Sequence, residues 1–280
     1  MEIRPLKDDD ALPNEMKIEP SYLKRARDSG RYFPFVAVEG GRVWGFAEAT
    51  LQFHPTRGTA MRVRFVYGPD KALRPFLATF CQYANRMNLC AVYLTSSPYH
   101  PELCTAARFA KFSRIEGDVA MRRGNERLDP FSVPDIRIRS MMPSEYLRIR
   151  NTILPLVSKG PYVSNQSEVS LHVESRLFFP MVAVSEAEQV VAYAELALGH
   201  AGLASCYVGR VERVVVDPLF RGRRIARLLV GELVRKGRDL GCEHVGLLVA
   251  KKNAAALKTY GGIGFVPTAE IPYWLDCSAG

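Results

Sequence analysis

The stretch "FRGRRIARLLV", Phe220 to Val230, follows the apolar run "VERVVVDP" and sets Arg221, Arg223, Arg224 and Arg227 around Gly222 and Ala226. A strand that turns into a helix presents the helix's unpaired N–H groups and its positive dipole end at the strand's exit. Such a place binds phosphate through backbone donors, provided that small or outward-pointing side chains let the anion approach. Gly222 gives the turn its freedom, Ala226 leaves room where the helix begins, and the arginines add charge. The same residues also fit a simpler reading, the charged first turn of a surface helix.

The charge balance sharpens the question. Between Arg221 and Arg238 there are seven bases and one acid, Glu232, so this segment holds +6 of the chain's formal +9. A concentrated basic patch implies a polyanionic ligand, a nucleotide-like cofactor or nucleic acid, unless it is only a solvated helix face. Elsewhere the chain offers little chemistry. The five histidines are scattered, with no HExxH and no Cys/His spacing, so no metal site is expected. Cys206 has no paired histidine in its vicinity, which argues against a thiol nucleophile. Trp44 and Trp274 fall in strand-like runs and are expected in the core.

The elements that would position the loop belong to a chain of 280 residues with 48% hydrophobic and 24% charged content, ordinary values for a folded protein of two domains. The acidic start "MEIRPLKDDD" does not read as a secretory signal, and no apolar run approaches the ~18 residues of a membrane span. Six cysteines without CxxC spacing read as reduced thiols of a cytoplasmic protein.

The chain repeats itself. "FPFVAVEGGRVWGFAEATL", from Phe33, and "FPMVAVSEAEQVVAYAELAL", from Phe179, each read as strand, polar turn, and a strand ending in Ala-Glu. Each copy continues alike. The first runs through a strand in "AMRVRFVYG", a helix in "ALRPFLATFCQYANRMNL", a strand in "CAVYLTSS", a helix in "PELCTAARFAKF" and a closing strand near "EGDVAMRR". The second runs through "GRVERVVVDP", the helix "IARLLVGELVRKGRDLG", the strand "HVGLLVA", a helix capped by Asn253 in "NAAALKTYGGIG", and "FVPTAEIPYWLDC". The segment Arg123 to Pro134 reads as the linker, dividing the chain into domains 1–128 and 129–280.

"VDPLFRGRRIA" resembles the acetyl-CoA pyrophosphate loop of the GNAT superfamily of N-acetyltransferases, Arg/Gln-x-x-Gly-x-Gly/Ala after a strand ending in Val-x-Pro. The family's next motif, Asn-x-x-Ala-x-x-x-Tyr-x-x-x-Gly-Phe, is met by Asn253, Ala256, Tyr260, Gly264 and Phe265. The resemblance covers the chain from about residue 135 and reaches the first copy only through the repeat. One position departs: the loop's central glycine is Arg224. Some branches of the family tolerate a long residue there, including the glucosamine-phosphate acetyltransferases. The segment "GRVERVVVDPLFRGRRIARLL" resembles their core, but that branch usually carries an acid where this chain has Arg213. The resemblance implies two GNAT-like lobes, each a mixed, mostly antiparallel central sheet flanked by helices.

It further implies an acetyl-CoA-dependent N-acetyltransferase acting on a small-molecule or protein amine, with no metal. Arg221, Gly222, Arg223, Arg224, Ile225, Ala226 and Arg227 would hold the pyrophosphate, and the backbone of Val214, Val215 and Val216 would hold the pantetheine. Asn253 would act as helix cap and cofactor contact, Glu212 as base, and Tyr260 as partner of the departing thiolate. "KGPYVSN", Lys159 to Asn165, is a candidate stretch of acceptor site. The first copy's "VYGPDKALRPFL" lacks the loop spacing and sets Pro75, which has no N–H, at the start of its helix, so only the second lobe is expected to bind acetyl-CoA. The alternatives are a catalytically silent acyl-CoA-binding regulatory protein and a nucleic-acid-binding protein.

Overall fold

The computed structural model describes the chain except for residues 15, 17, 55–57, 97–100, 115–116, 125, 154–172, 201–205 and 277–280. The tract Lys159 to Asn165 and Cys277 therefore lie outside the described residues. Two compact units form. The first comprises Met1–Glu116, His200–Ser205 and Ala269–Gly280, and the second Gly117–Gly199 and Cys206–Thr268.

The first unit holds strands β1 (Glu2–Pro5), β2 (Tyr32–Glu39), β3 (Arg42–His54), β4 (Gly58–Tyr67), β5 (Ala91–Ser96) and β6 (Ser113–Arg114), with helices α1 (Pro20–Asp28), α2 (Asp70–Arg86) and α3 (Pro101–Phe109). The second holds β7 (Asp118–Gly124), β8 (Ile136–Ser140), α4 (Tyr146–Thr152), β9 (Phe178–Ser185), β10 (Val190–His200), β11 (Tyr207–Val216), α5 (Ile225–Asp239), β12 (Cys242–Ala250), α6 (Ala254–Gly261) and β13 (Val266–Pro267). A last strand, β14 (Ile271–Asp276), returns to the first unit.

The first sheet runs β1-β2-β3-β4-β5-β14-β6 and the second β8-β9-β10-β11-β12-β7-β13. Each therefore has five strands in chain order, then a strand from the other half of the sequence, then a short strand of its own. This corrects two readings of the sequence. The strand in "EGDVAMRR" pairs with β12 in the second sheet, and the strand in "IPYWLD" pairs with β5 in the first. Both strands exist where local pattern put them, but period and propensity carry no information about which sheet edge a strand will find. Arg123, taken as the start of the linker, is likewise inside β7 and buried.

The repeat extends to pairing register. Pro34 faces Glu48 across β2 and β3, and Pro180 faces Glu195 across β9 and β10. In the first unit Phe35, Met61, Val92 and Leu94 pack on Phe76, Leu77 and Phe80 of α2. Pro75 lies inside α2, not at its start, because that helix begins at Asp70. Trp44 is not core: it is 43% exposed, with the Arg42 guanidinium 4.6 Å from its ring centroid. In the second unit α5 buries Ile225, Leu228, Leu229 and Leu233 on one face of the sheet. On the other face Tyr146 and Ile149 of α4 pack with Val182, Tyr193 and Val215.

Candidate active site

β11 and β12 pair in parallel from Tyr207–Cys242 to Arg210–Gly246 and then part. β12 continues to Ala250 alongside β7, while β11 runs on to Val216. Among the described residues, the edge of Val214, Val215 and Val216, the predicted stretch, that would continue the pairing with β12 therefore opens on a gap. At the parting Arg213 takes the left-handed φ of +54°, a conformation costing a non-glycine residue about 1–2 kcal/mol. Such a residue interrupts the regular alternation of a strand in the manner of a bulge.

The faces follow from packing. A side chain at Gly209 would meet Leu196 Cδ1 at 2.9 Å and Val245 Cγ2 at 3.2 Å, and one at Gly237 of α5 would meet the same Val245 atom at 2.8 Å. Gly209 thus faces α5, and by alternation Arg210 and Glu212 face away from it. Glu212 is 6% exposed, and Arg210 Nε lies 4.0 Å from its Oε1. On the neighbouring strand Glu195 is fully buried. Its Oε1 is 2.7 Å from Arg213 Nε, a close charge contact whose N–H is not directed at the oxygen, and its Oε2 accepts from the Tyr193 hydroxyl at 3.1 Å.

Beyond β11 the chain makes a one-turn helix, Pro218–Phe220, capped by Asp217, whose side chain accepts from the Leu219 N–H at 2.9 Å. The loop then alternates in hand: Gly222 has φ +80°, and Arg224, the N-cap of α5, has φ +61°. This explains the motif's glycine at Arg224: the position is left-handed, a conformation for which glycine has no steric penalty. Arg224 is exposed. The N–H groups of Ile225, Ala226 and Arg227 have no carbonyl four residues back within the helix, and they sit at the positive end of its dipole. Around them Arg221 Nε donates to the Val216 carbonyl at 3.1 Å, and Arg223 donates to the Pro134 carbonyl at 3.4 Å. Arg227 lies over the Phe131 ring at 4.7 Å. Later bases of the patch are paired locally: Arg235 with Glu232, and Arg238 with Asp239.

A cavity of about 350 Å³ adjoins this helix, lined by Arg127, Phe131, Arg227, Arg235, Gly262 and Gly264 among others. Sequence reasoning had not found it, because three separated segments build it. Arg123 holds one wall by donating from Nε to the Ile263 carbonyl at 2.7 Å. Asn253 caps α6 as expected, its Oδ1 accepting from Ala256 N–H at 3.1 Å. Tyr260, on the same helix, is 8% exposed and 6.1 Å from Phe265, ring centroid to ring centroid. Burial pushes its phenol up to about 12. Among the described residues no group of three or more His, Cys, Asp or Glu could hold a metal, and no helix is long and apolar enough to cross a membrane.

Residues 152–265 match the sequence profile of the acetyltransferase (GNAT) family. No curated protein matches the chain in sequence. Among solved structures, a tandem GNAT protein from the clavulanic acid biosynthesis pathway superposes with a TM-score of 0.59 at 16% identity, covering 100% of this chain and 99% of that one. A Drosophila protein from a structural genomics programme gives 0.56 at 12%, with 97% of each chain covered. Saccharomyces cerevisiae N-myristoyltransferase with bound myristoyl-CoA gives 0.54 at 10%, covering 98% of this chain and 78% of that one. At these identities the likeness is one of fold. Residues 152–265 thus carry the acetyltransferase (GNAT) family signature, within a chain whose fold is shared end to end with that of a tandem GNAT protein.

Proposed function

We propose that the second unit transfers an acetyl group from acetyl-CoA to an amine, in the cytoplasm. One observation carries this reading. The left-handed loop at Gly222 and Arg224, with the free N–H groups that follow it, stands at the end of the gap between β11 and β12. The loop donors and arginines fit a pyrophosphate. The cavity beside Arg227 and Phe131 has the charge and size for the nucleotide end of the cofactor. The open edge of Val214–Val216 fits the pantetheine as an added strand would.

The amine attacks only when neutral, and removing a proton from a lysine-like amine at pH 7 costs about 4–5 kcal/mol. Glu212, buried on the face away from α5, receives that proton directly or through water. The N–C bond forms, a backbone N–H of β11 steadies the carbonyl oxygen, and the C–S bond breaks toward Tyr260. With its phenol held up to about 12, Tyr260 keeps its proton about 3–4 pH units more tightly than a free thiol does. It therefore stabilises the thiolate by donating a hydrogen bond and does not hand its proton over.

The test is thioester consumption across an amine panel, together with a calorimetric titration of acetyl-CoA. Turnover with one cofactor bound per chain is expected. Binding without turnover on any amine would point to the silent acyl-CoA-binding reading, and two cofactors per chain would return the first unit to the site.

A further inference from the structure

Arg210 stands beside the candidate base and has no part in the steps above. It is 6% exposed, and neither its Nε nor its Nη2 has a hydrogen-bond partner among the described residues. Among the described residues its one ion contact is Glu212, and 4.0 Å from Nε to Oε1 is beyond hydrogen-bonding reach. A guanidinium carries five N–H donors, and buried donors in native proteins are nearly always paired. Arg213, on the same strand, shows the contrast, since its charge lies against Glu195 at 2.7 Å.

Among the described residues, one position beside Arg210 on the sheet carries no side chain. Arg210 registers with Gly246 on β12, and Gly246 registers with Arg122 on β7, so the three positions form a row across one face of the sheet. A side chain at Gly246 would meet only the Met121 carbonyl oxygen, at 3.5 Å. Among the described residues no side chain comes within 4 Å of that point, between the two arginines, and β11 and β12 part directly after it.

We propose that Arg210 binds an anionic group of the acceptor. The substrate is an amine carrying a carboxylate or phosphate a few bonds from its nitrogen, and Arg210 takes that group while Glu212 takes the amine's proton. This rests on the reading of Glu212 as base. The guanidinium fork matches both oxyanions through two parallel N–H···O bonds. A neutral amine would leave it buried and unpaired, and the second ammonium of a diamine would be repelled by it. The 4.0 Å between Arg210 Nε and Glu212 Oε1 sets the scale: amine and anion belong to one small group, as in an α- or β-amino acid, not to the two ends of a polyamine.

The experiment measures thermal shifts, with and without coenzyme A, for matched amines: β-alanine against propylamine, phenylalanine against phenethylamine, and phosphoethanolamine against ethanolamine. At least one anionic member is expected to raise Tm where its counterpart at equal concentration does not. Arg210→Met should abolish that shift and keep the shift caused by coenzyme A. Where Arg210→Met melts too low to read, Arg210→Lys serves, with about a tenfold weaker response expected from loss of the fork. The carboxylate and phosphate pairs decide which oxyanion is bound. Equal shifts within every pair, no shift from any anionic member, or a shift that survives both substitutions overturns the proposal. Failure of the acyl-transfer reading is seen separately, as no shift with coenzyme A and no thioester consumed.

Discussion

Nε of Arg213 lies 2.7 Å from Oε1 of Glu195, with both side chains buried and the Arg213 backbone in the left-handed region. The pair joins β10 to β11 at the place where β11 leaves β12. Removing one partner of a buried ion pair strands the other charge and costs about 3–5 kcal/mol. Glu195→Gln is therefore expected to lose about that much stability in urea unfolding. A loss under about 1 kcal/mol, the worth of an exposed pair, would show that the Arg213 guanidinium reaches solvent once released.

Arg224 is strained for a different reason. Its φ of +61° is the conformation that the loop needs, and only its side chain disagrees with it. Arg224→Gly removes an αL cost of about 1–2 kcal/mol and adds the roughly 0.5–1 kcal/mol of extra chain entropy that glycine loses on folding. The net expectation is a variant more stable by about 0.5–1 kcal/mol with acetyl-CoA affinity within about threefold of the parent, because the donors are backbone N–H groups. A large loss of affinity by calorimetry would instead make the Arg224 guanidinium a principal contact.

These two arginines show where sequence reading succeeds and where it stops. The loop was legible because a strand, a glycine and a helix start are local features. That Arg224 must be left-handed was legible only as a departure from a motif. The Arg213–Glu195 pair was out of reach, since it joins residues 18 apart in sequence through a strand pairing that no periodicity specifies. The hairpin repeat gave two sheets, and the structure adds that Glu48 and Glu195, the ends of the two Ala-Glu motifs, are both buried acids. In the first unit the Tyr22 hydroxyl donates to Glu48, at 2.9 Å to Oε1 and 2.7 Å to Oε2. The crossing of β7 and β14 was unreadable for the same reason as the ion pair. The cavity beside α5 needs three segments at once.

The strand crossing makes a prediction of its own. β14 lies between β5 and β6, registering Tyr273 with Leu94 and with Arg114. A chain ending at Thr268 would keep every strand of the second sheet and lose the sixth strand of the first. Its first unit should be exposed to limited proteolysis near β5 and β6 while the second stays protected. Equal protease resistance in both units would mean that β6 closes directly onto β5.

Acid should act on the second unit through Glu145, which accepts from both Arg139 Nη atoms at 2.7 Å and from the Met142 N–H at 2.9 Å. The Arg139 hydrogen bonds, more than any other contact, hold its carboxyl below the ordinary glutamate value. A lowered folded value contributes stability that is present above the unfolded value and is lost as pH falls through the folded one. Glu145→Gln should therefore be less stable than the parent at neutral pH, and the difference should shrink in denaturant titrations carried below about pH 4. A difference that stays constant with pH would mean that the carboxyl's charge is not what anchors the start of α4.

Tyr260 gives the opposite limb. Burial raises its phenol from 10.0 to about 12, so the folded chain holds the proton more tightly than the unfolded chain. The stabilisation is fully present below pH 10 and is lost as pH rises toward 12. Two units correspond to about 2–3 kcal/mol, and Tyr260→Phe, which has no proton to lose, should escape that decline. The same variant separates structure from chemistry: turnover should drop by about 10²-fold or more while acetyl-CoA affinity stays within a few-fold. Parent turnover should show no alkaline loss from Tyr260 below about pH 11, since the phenol is still protonated there. If the variant escapes the alkaline decline but keeps full turnover, Tyr260 is a buried core tyrosine, and the departing thiolate is stabilised by another donor.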